Sequence, residues 1–541
     1  MAKRSLALLL ICLGALSVMP VMAQADTTDI IESQEETFEK ENGFQSGTCF
    51  ENQEGEDADQ TKPDPGKPYC SGETPSIFFT QAAGHPPFGF TQYIIQHENG
   101  TGKIEPIEVE VPTKPIKEPI PDRTIKTLRT DLPPGLTVNP QAAPKCSDAD
   151  FEAVGQIPGA PPGTFGRVPT CPADTIVGRD EVTLVTNVED YEAPTQPGVK
   201  LPKGFILTPD PAKGTYVPVY NLEPKDGEPA RLGFIIGFEK IIILETAVAW
   251  ESDFHESFTI KLPEAGKLST LSSRLVSYGQ AGNGTYITNP TTCFDPLQVP
   301  QLYTTWFRAH SYGEENPTFP AGSTPVGSPL PPGVEPTGCE NVPFDIGIDV
   351  DPGTTSIDSP ADATVTTTLP FDPAKEGGEV EEVAPGEFEG ISQSHLRSAE
   401  VSLPKGMGLN PSGAQGLEAC TDAQFNKGER TYVNECPAAS KVGTAVIESP
   451  PLAEPLVGDI YVGEQLSSDP ESGQLFRILV EAKNEHEGIA LRLLGNVKAN
   501  KTTGQLTAVV TDKQVLGING QPIPDGLPQA PFTAVKLHFD G

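Results

Sequence analysis

Cys171-Pro172-Ala173-Asp174-Thr175-Ile176-Val177-Gly178 returns later in the chain as Cys436-Pro437-Ala438-Ala439-Ser440-Lys441-Val442-Gly443. Two further blocks precede each copy in the same order. Leu132-Pro133-Pro134-Gly135-Leu136-Thr137-Val138-Asn139-Pro140 matches Leu403-Pro404-Lys405-Gly406-Met407-Gly408-Leu409-Asn410-Pro411, and Cys146-Ser147-Asp148-Ala149-Asp150-Phe151 matches Cys420-Thr421-Asp422-Ala423-Gln424-Phe425. Matching order at nearly constant spacing marks an internal duplication, and a repeat of such long period means two homologous units.

Each block has a physical reading. Leu-Pro-x-Gly ends a strand, because proline removes a ladder donor and glycine allows the turn a positive φ. Ser147 and Thr421 suit the N-cap of a single helical turn, and Thr421 with Gln424 fits a capping box. The second cysteine opens a strand, Glu181 to Thr186 in one unit and Thr444 to Ile447 in the other, so each cysteine pair staples a loop to a sheet. Homologous positions should make the same bond: Cys146 with Cys171, and Cys420 with Cys436. The outer cysteines are expected to pair locally, Cys49 with Cys70 and Cys293 with Cys339. An even set in an exported chain reads as disulfides, and neither close Cys-x-x-Cys pairs nor clustered histidines suggest zinc.

Outside these blocks the pattern is short alternating runs between turn residues, with 57 prolines and 53 glycines in 541 residues. Phe258, Ile260 and Leu262 lie in phase, as do Thr533, Val535, Leu537 and Phe539, which is the signature of half-buried strands. Arg231 to Trp250 is apolar in patches but carries Glu239, Lys240 and Glu245, so Phe234–Ile236 and Ile241–Leu244 read as two buried strands, not a membrane span. The fold class is all-β, with tandem β-sandwich-like (Ig-like) lobes in two homologous units.

The order Leu-Pro-x-Gly-Leu/Met-x-x-Asn-Pro, Cys, Cys-Pro-Ala-x-x-x-Val-Gly, then Val219-Tyr220 or Ile460-Tyr461, resembles a family of large secreted repeat proteins of soil actinobacteria. The resemblance covers roughly His85 to Gly541. It implies an extracytoplasmic location and β-rich repeats, and it carries over no catalytic residue.

The first residues agree. Lys3 and Arg4, the apolar run Leu6 to Met22 and Ala23-Gln24-Ala25 form a signal peptide, residues 1–25, with which Cys12 leaves. The formal net charge of −37 becomes more negative once Lys3 and Arg4 go. Such a field repels nucleic acid and anionic lipid. Residues 26–60 read as an acidic disordered arm, 61–293 as the first unit with two lobes dividing near 190, and 294–338 as a linker whose Pro- and Gly-rich part runs from Glu314 to Pro336. Residues 339–541 read as the second unit, dividing near 455. Aligning Leu275 with Leu537 and Gly279 with Gly541 leaves nothing to match Asn289 to Cys293, so the second unit is expected to stop short of completion.

Chemistry is harder to find. His85, His97, His255, His310, His395, His486 and His538 sit in loops and polar strand faces, where solvated imidazole is the default, and no nucleophile elbow accompanies any of them. With 74 acidic residues, carboxylate pairs at glycosidase spacing arise by accident. Asp345, Asp349, Asp351 and Asp358 form the one calcium candidate, an oxygen-rich run without EF-hand spacing. Tyr303, Trp306, Phe307 and Tyr312 suit a domain junction or a sugar-stacking platform. The expectation is a non-enzymatic secreted or cell-surface protein with no cofactor, structural, adhesive or binding in role. Its partners would be cell-wall or extracellular glycan or other surface proteins. The alternative is a secreted carbohydrate-active enzyme or glycan-binding protein.

Overall fold

The computed structural model describes residues 45–51, 79–86, 88–94, 125–156, 167–186, 188, 190–192, 200–201, 206–207, 217–236, 240–248, 255–261, 268–282, 284–293, 304–311, 326–329, 336–357, 359–372, 381–384, 387–403, 405, 418–425, 434–510 and 527–541. The signal segment, His97 and the Cys49–Cys70 pairing lie outside them. The protein is mostly β-strand with a few short helical turns.

The first large sheet contains β1 (Gln45–Glu51), β2 (Phe88–Ile94), β3 (Ile125–Asp131), β4 (Ile176–Thr186), β5 (Val217–Leu222), β6 (Ala230–Ile236), β7 (Lys240–Val248), β8 (Glu256–Lys261), β9 (Leu268–Tyr278), β10 (Thr304–Ser311) and β11 (Val326–Pro329). Their order is β1-β2-β9-β4-β5-β6-β7-β8-β3-β10-β11, with Ile206–Leu207 added beside β4. The second contains β12 (Gly347–Pro352), β13 (Ala363–Thr368), β14 (Ala399–Ser402), β15 (Lys441–Glu448), β16 (Leu456–Gly463), β17 (Phe476–Asn484), β18 (Ile489–Ala499), β19 (Leu506–Val510) and β20 (Ala534–Phe539). Its order is β12-β13-β20-β15-β16-β17-β18-β19-β14. All nine strands of the second sheet thus repeat the order of the first nine positions of the first sheet, through antiparallel pairs throughout. The sequence duplication is a duplication of topology.

Three expectations change. The lobe boundaries near 190 and 455 fall between β4 and β5 and between β15 and β16, which are hydrogen-bonded neighbours, so each sheet runs unbroken across them. The stretch 294–338 is not simply a linker. It holds β10 and β11, and β10 is bonded along β3 from Trp306 opposite Asp131 to His310 opposite Thr127. The alternating run 304–311 has the β-propensity to pair, and most of the proline- and glycine-rich stretch after it lies outside the described residues. Within the arm 26–60, Gln45–Glu51 pairs with β2, Thr48-Cys49-Phe50 supplying β-prone residues that the acidic flanks lack.

The first sheet rolls up. Leu128 of β3, Val182 of β4, Val219 of β5, Phe234 of β6, Ile260 of β8 and Leu275 of β9 meet in one core, and the outer strands β1 and β11 approach each other. A single sheet can bury one face only by curling on itself or packing on a second layer.

The repeated blocks form the same pair of staples twice. Cys146–Cys171 and Cys420–Cys436 are bonded, as is Cys293–Cys339. Helix α1 (Asp148–Glu152) is capped by Ser147, whose hydroxyl accepts from the Asp150 amide. Helix α2 (Asp422–Phe425) has the full capping box: the Gln424 amide donates to Thr421 Oγ1, and the Thr421 amide donates to Gln424 Oε1. Each turn presses a phenylalanine into the sheet. Phe151 meets Tyr220 edge-on at 6.1 Å, and Phe425 meets Tyr461 at 6.4 Å.

Candidate functional site

The most charged buried group is at the end of β3. Arg129 Nε donates to Asp131 Oδ1 at 2.8 Å, and His255 Nε2 lies 2.9 Å from the same oxygen. Asp131 is fully buried and His255 nearly so. Burial would raise the Asp131 carboxyl, but His255 and Arg129 together hold it below the usual carboxylate range. The next residue, Glu256, keeps some exposed surface along its strand, yet its carboxyl end is enclosed and accepts from the Val138 amide at 2.8 Å. Loss of solvent pushes it up to about 8, outweighing that hydrogen bond and the nearby imidazole. Tyr286, also buried, has its phenol raised by burial and by Glu256.

Two carboxyls with shifted titration beside a buried histidine resemble catalytic machinery. An acid–base pair must still reach a substrate. The cavity found inside the first sheet, lined by Leu128, Thr130, Asp180, Phe234, Ser273 and Leu275, has room for about one water molecule. Ser273 donates to Asp180 there at 2.8 Å. These groups are sealed polar centres that fix strand register.

The second unit has its own. Glu481, almost fully buried, accepts from Arg492 Nη2 at 3.0 Å and from Asn434 Nδ2 at 2.7 Å. The Arg492 guanidinium lies 5.6 Å from the Phe425 ring centroid. Arg477 donates to Asp422 at the start of α2 at 2.6 Å.

Between the units lies a closed junction. Cys339 ties the start of the second unit to Cys293 at the end of the first. Gly84 bridges to Ile391, the Ser392 amide donates to Ala83 O at 2.8 Å, and the His395 amide donates to Thr291 Oγ1 at 3.1 Å. His85 and His395 are both buried here, and desolvation lowers each to about 4. Nδ1 of His85 faces Ile287 O at 3.2 Å and Nε2 faces Ser392 Oγ at 3.4 Å. Further out, the Gly227 amide donates to His486 O at 2.7 Å and Asp226 pairs with the exposed His486 at 2.8 Å.

His85, His255 and His395 correct the expectation of solvated imidazoles. Each is neutralised or paired inside the protein, because strand pairing carries its loop inward. Nothing in the local sequence signalled this, although the neighbours His255-Glu256 at the head of an alternating strand offered a weak hint.

The calcium candidates do not converge. Asp345 bonds to Gln393, whose amide donates to its carboxylate at 3.2 Å. Asp349 and Asp351 alternate along exposed β12, opposite Thr366 and Thr364, while Asp358 lies outside the described residues. Among the described residues no group of three or more His, Cys, Asp or Glu is placed to hold a metal. Trp306 and Phe307 lie on β10 with side chains outside the described set, as Tyr303 and Tyr312 are altogether.

What the second unit does present is apolar surface. Phe344, Ile348, Val350, Ile357 and Phe371 are exposed, and Ile357 is 96% so. Ile348 and Val350 lie on β12, the outermost strand. Across the ladder they share a face with Thr367 and Val365, then Val535 and Leu537, then the buried Ile447 and Ala445. The inner face of the second sheet therefore emerges into solvent at β12. Among the described residues no helix is long and apolar enough to cross a membrane. No family model, curated protein or solved structure matches this chain.

Proposed function

We propose that this is a secreted or cell-surface protein with a non-enzymatic role, structural, adhesive or binding, built from two sandwich-like units whose opposing walls pack across one core. The carrying observation is the contrast between its charged centres and its apolar surface. The acid–histidine groups are sealed within strand ladders, while the inner face of the second sheet is left open at β12. Enclosed charges hold a structure in register, and an uncovered apolar face marks a contact surface. The disulfides and the −37 formal charge suit an oxidising, aqueous compartment outside the cell. The resemblance of the repeats to secreted actinobacterial proteins points the same way.

A glycan array run beside a polysaccharide-hydrolase panel tests the reading. Binding without turnover is expected. Turnover that disappears in an Asp131→Asn or Glu256→Gln protein of native stability would replace this proposal with a carbohydrate-active enzyme.

A further inference from the structure

We propose that Cys293–Cys339 is a redox latch, an exchange site at which a dithiol opens the bond and releases the clamp between the two units while both large sheets stay folded. This goes beyond the binding role proposed above and does not depend on it.

The three disulfides differ in placement. The sulfurs of the two staples are sealed at one end, Cys146 among Phe151, Tyr220 and Leu222, and Cys420 among Phe425, Tyr461 and Leu479. Each of those bonds closes a loop within a single unit. Cys293 is instead exposed and Cys339 half-buried, and their bond joins the end of the first unit to the start of the second. Exchange begins when a thiolate reaches a disulfide sulfur, so access decides which bond yields first.

The bond clamps a strap of chain, residues 80–85, that lies outside both large sheets. Toward the first unit, the Ala83 amide donates to Pro290 O at 3.1 Å and the Asn289 amide donates to Gly84 O at 2.9 Å. Toward the second, the Ala82 amide donates to Thr337 O and the Ser392 amide to Ala83 O, both at 2.8 Å. Ala82 and Ala83 are fully buried between these partners. Cys293 follows closely on Pro290 and Cys339 on Thr337, so the two sulfurs tie together the segments that flank the strap. Thr291 shares in both: its carbonyl oxygen lies 3.6 Å from Cys339 Sγ, and its hydroxyl accepts from the His395 amide. The loop closed by the bond also carries β10 and β11. Opening it returns closure entropy to that loop and loosens the strap's flanks, whereas the ladders within each sheet do not pass through the bond.

The step balances. A dithiol thiolate attacks Cys293 Sγ, and the S–S bond breaks with its electron pair passing to Cys339, which takes a proton. The reagent's second thiol then loses its proton and attacks the reagent's own sulfur in the mixed disulfide, expelling Cys293 as a thiolate that is protonated in turn. The cystine is reduced by two electrons, and the dithiol is oxidised to a disulfide.

The test treats the intact oxidised chain under native conditions with dithiothreitol, a small dithiol, or with reduced thioredoxin, a protein dithiol. Alkylation with peptide mapping and amide hydrogen exchange follow the time course. Cys293–Cys339 should open at least tenfold faster than Cys146–Cys171 or Cys420–Cys436. As it opens, exchange at the Ala82, Ala83 and Ser392 amides should rise at least tenfold, with β4 and β15 still protected, and reoxidation should reverse the change. The faster reagent names the source of the dithiol, and selective opening by either supports the inference. Opening of another of these pairs at the same rate, a junction still protected after opening, or loss of protection in β4 and β15 together with it overturns the inference. A Cys293→Ser/Cys339→Ser protein should exchange rapidly at the junction without reductant and gain nothing from it; junction protection equal to that of the oxidised chain would overturn the inference as well. The reductant time course needs no variant and so decides the matter even if that protein fails to fold.

Discussion

Three buried titratable residues oppose one another across the pH scale. His85 and His395 have folded values of about 4 against the ordinary histidine value of 6.5, so the folded chain binds fewer protons than the unfolded one as pH falls. Their effect is neutral above pH 6.5 and destabilising from there down toward 4. Glu256 is the reverse case: raised from 4.5 to about 8, it binds a proton when folded that it would lose when unfolded, so its effect is destabilising from pH 4.5 up to 8. Each group contributes a slope of about 1.4 kcal/mol per pH unit in its window. Two rising slopes exceed one falling slope below pH 6.5, and only the falling slope remains above it, so these groups set a stability maximum near pH 6.5. Chemical denaturation across pH 4.5–8 checks this. Glu256→Gln should remove the decline above 6.5, and a His85→Gln/His395→Gln protein should flatten the rise below it; a decline untouched in Glu256→Gln would refute the assignment.

At the same scale, the two units solve one packing problem in opposite ways. Leu222 on β5 corresponds to Gly463 on β16, since Cys146 bridges to the first and Cys420 to the second. On the next strand, Tyr220 stands opposite Gly233 and Tyr461 opposite Leu479. The pair Leu-Gly in one unit is therefore Gly-Leu in the other, under the same phenylalanine. A Cβ at Gly233 would approach Leu222 Cδ1 at 2.5 Å and Phe151 Cζ at 2.7 Å. Gly233→Leu alone should cost about 1–3 kcal/mol by overpacking, and Leu222→Gly alone about 2–5 kcal/mol by opening a cavity. Together they should recover at least half of the summed loss in a urea double-mutant cycle. Strict additivity would mean that the exchange is accidental.

At the scale of elements, the staples matter more than the helices they tie down. Helices α1 and α2 are too short to persist alone and survive because a cap and a disulfide fix the N-terminal end of each and a buried phenylalanine anchors it to the sheet. Removing Cys146–Cys171 or Cys420–Cys436 by paired alanine substitution should cost about 3 kcal/mol in each case, slightly more for the longer loop of 25 residues than for that of 16. Calorimetry of the two variants under identical conditions measures this. An unchanged melting temperature in either variant would show that its loop is held by the sheet alone. Legibility at this scale was good where chemistry is local: the capping box, the strand after each second cysteine and the two strands at Phe234–Ile236 and Ile241–Leu244 follow from neighbouring residues, and the Cys146–Cys171 and Cys420–Cys436 bonds follow from the repeat. It failed for β10 and β11, because proline and glycine density describes a loop between strands as readily as a loop between domains.

For the whole molecule, the duplication and its all-β character are written in the sequence, since repeat spacing and period-2 alternation are properties of residues close together along the chain. Folding alone decided which strands become neighbours. That choice carried β3 and β8 together to enclose Asp131 with His255, brought His85 and His395 into one closed junction, and gave β3 a covering hairpin. Burial and edge exposure depend on strands hundreds of residues apart, and no local pattern encodes whether a distant segment will arrive to cover them.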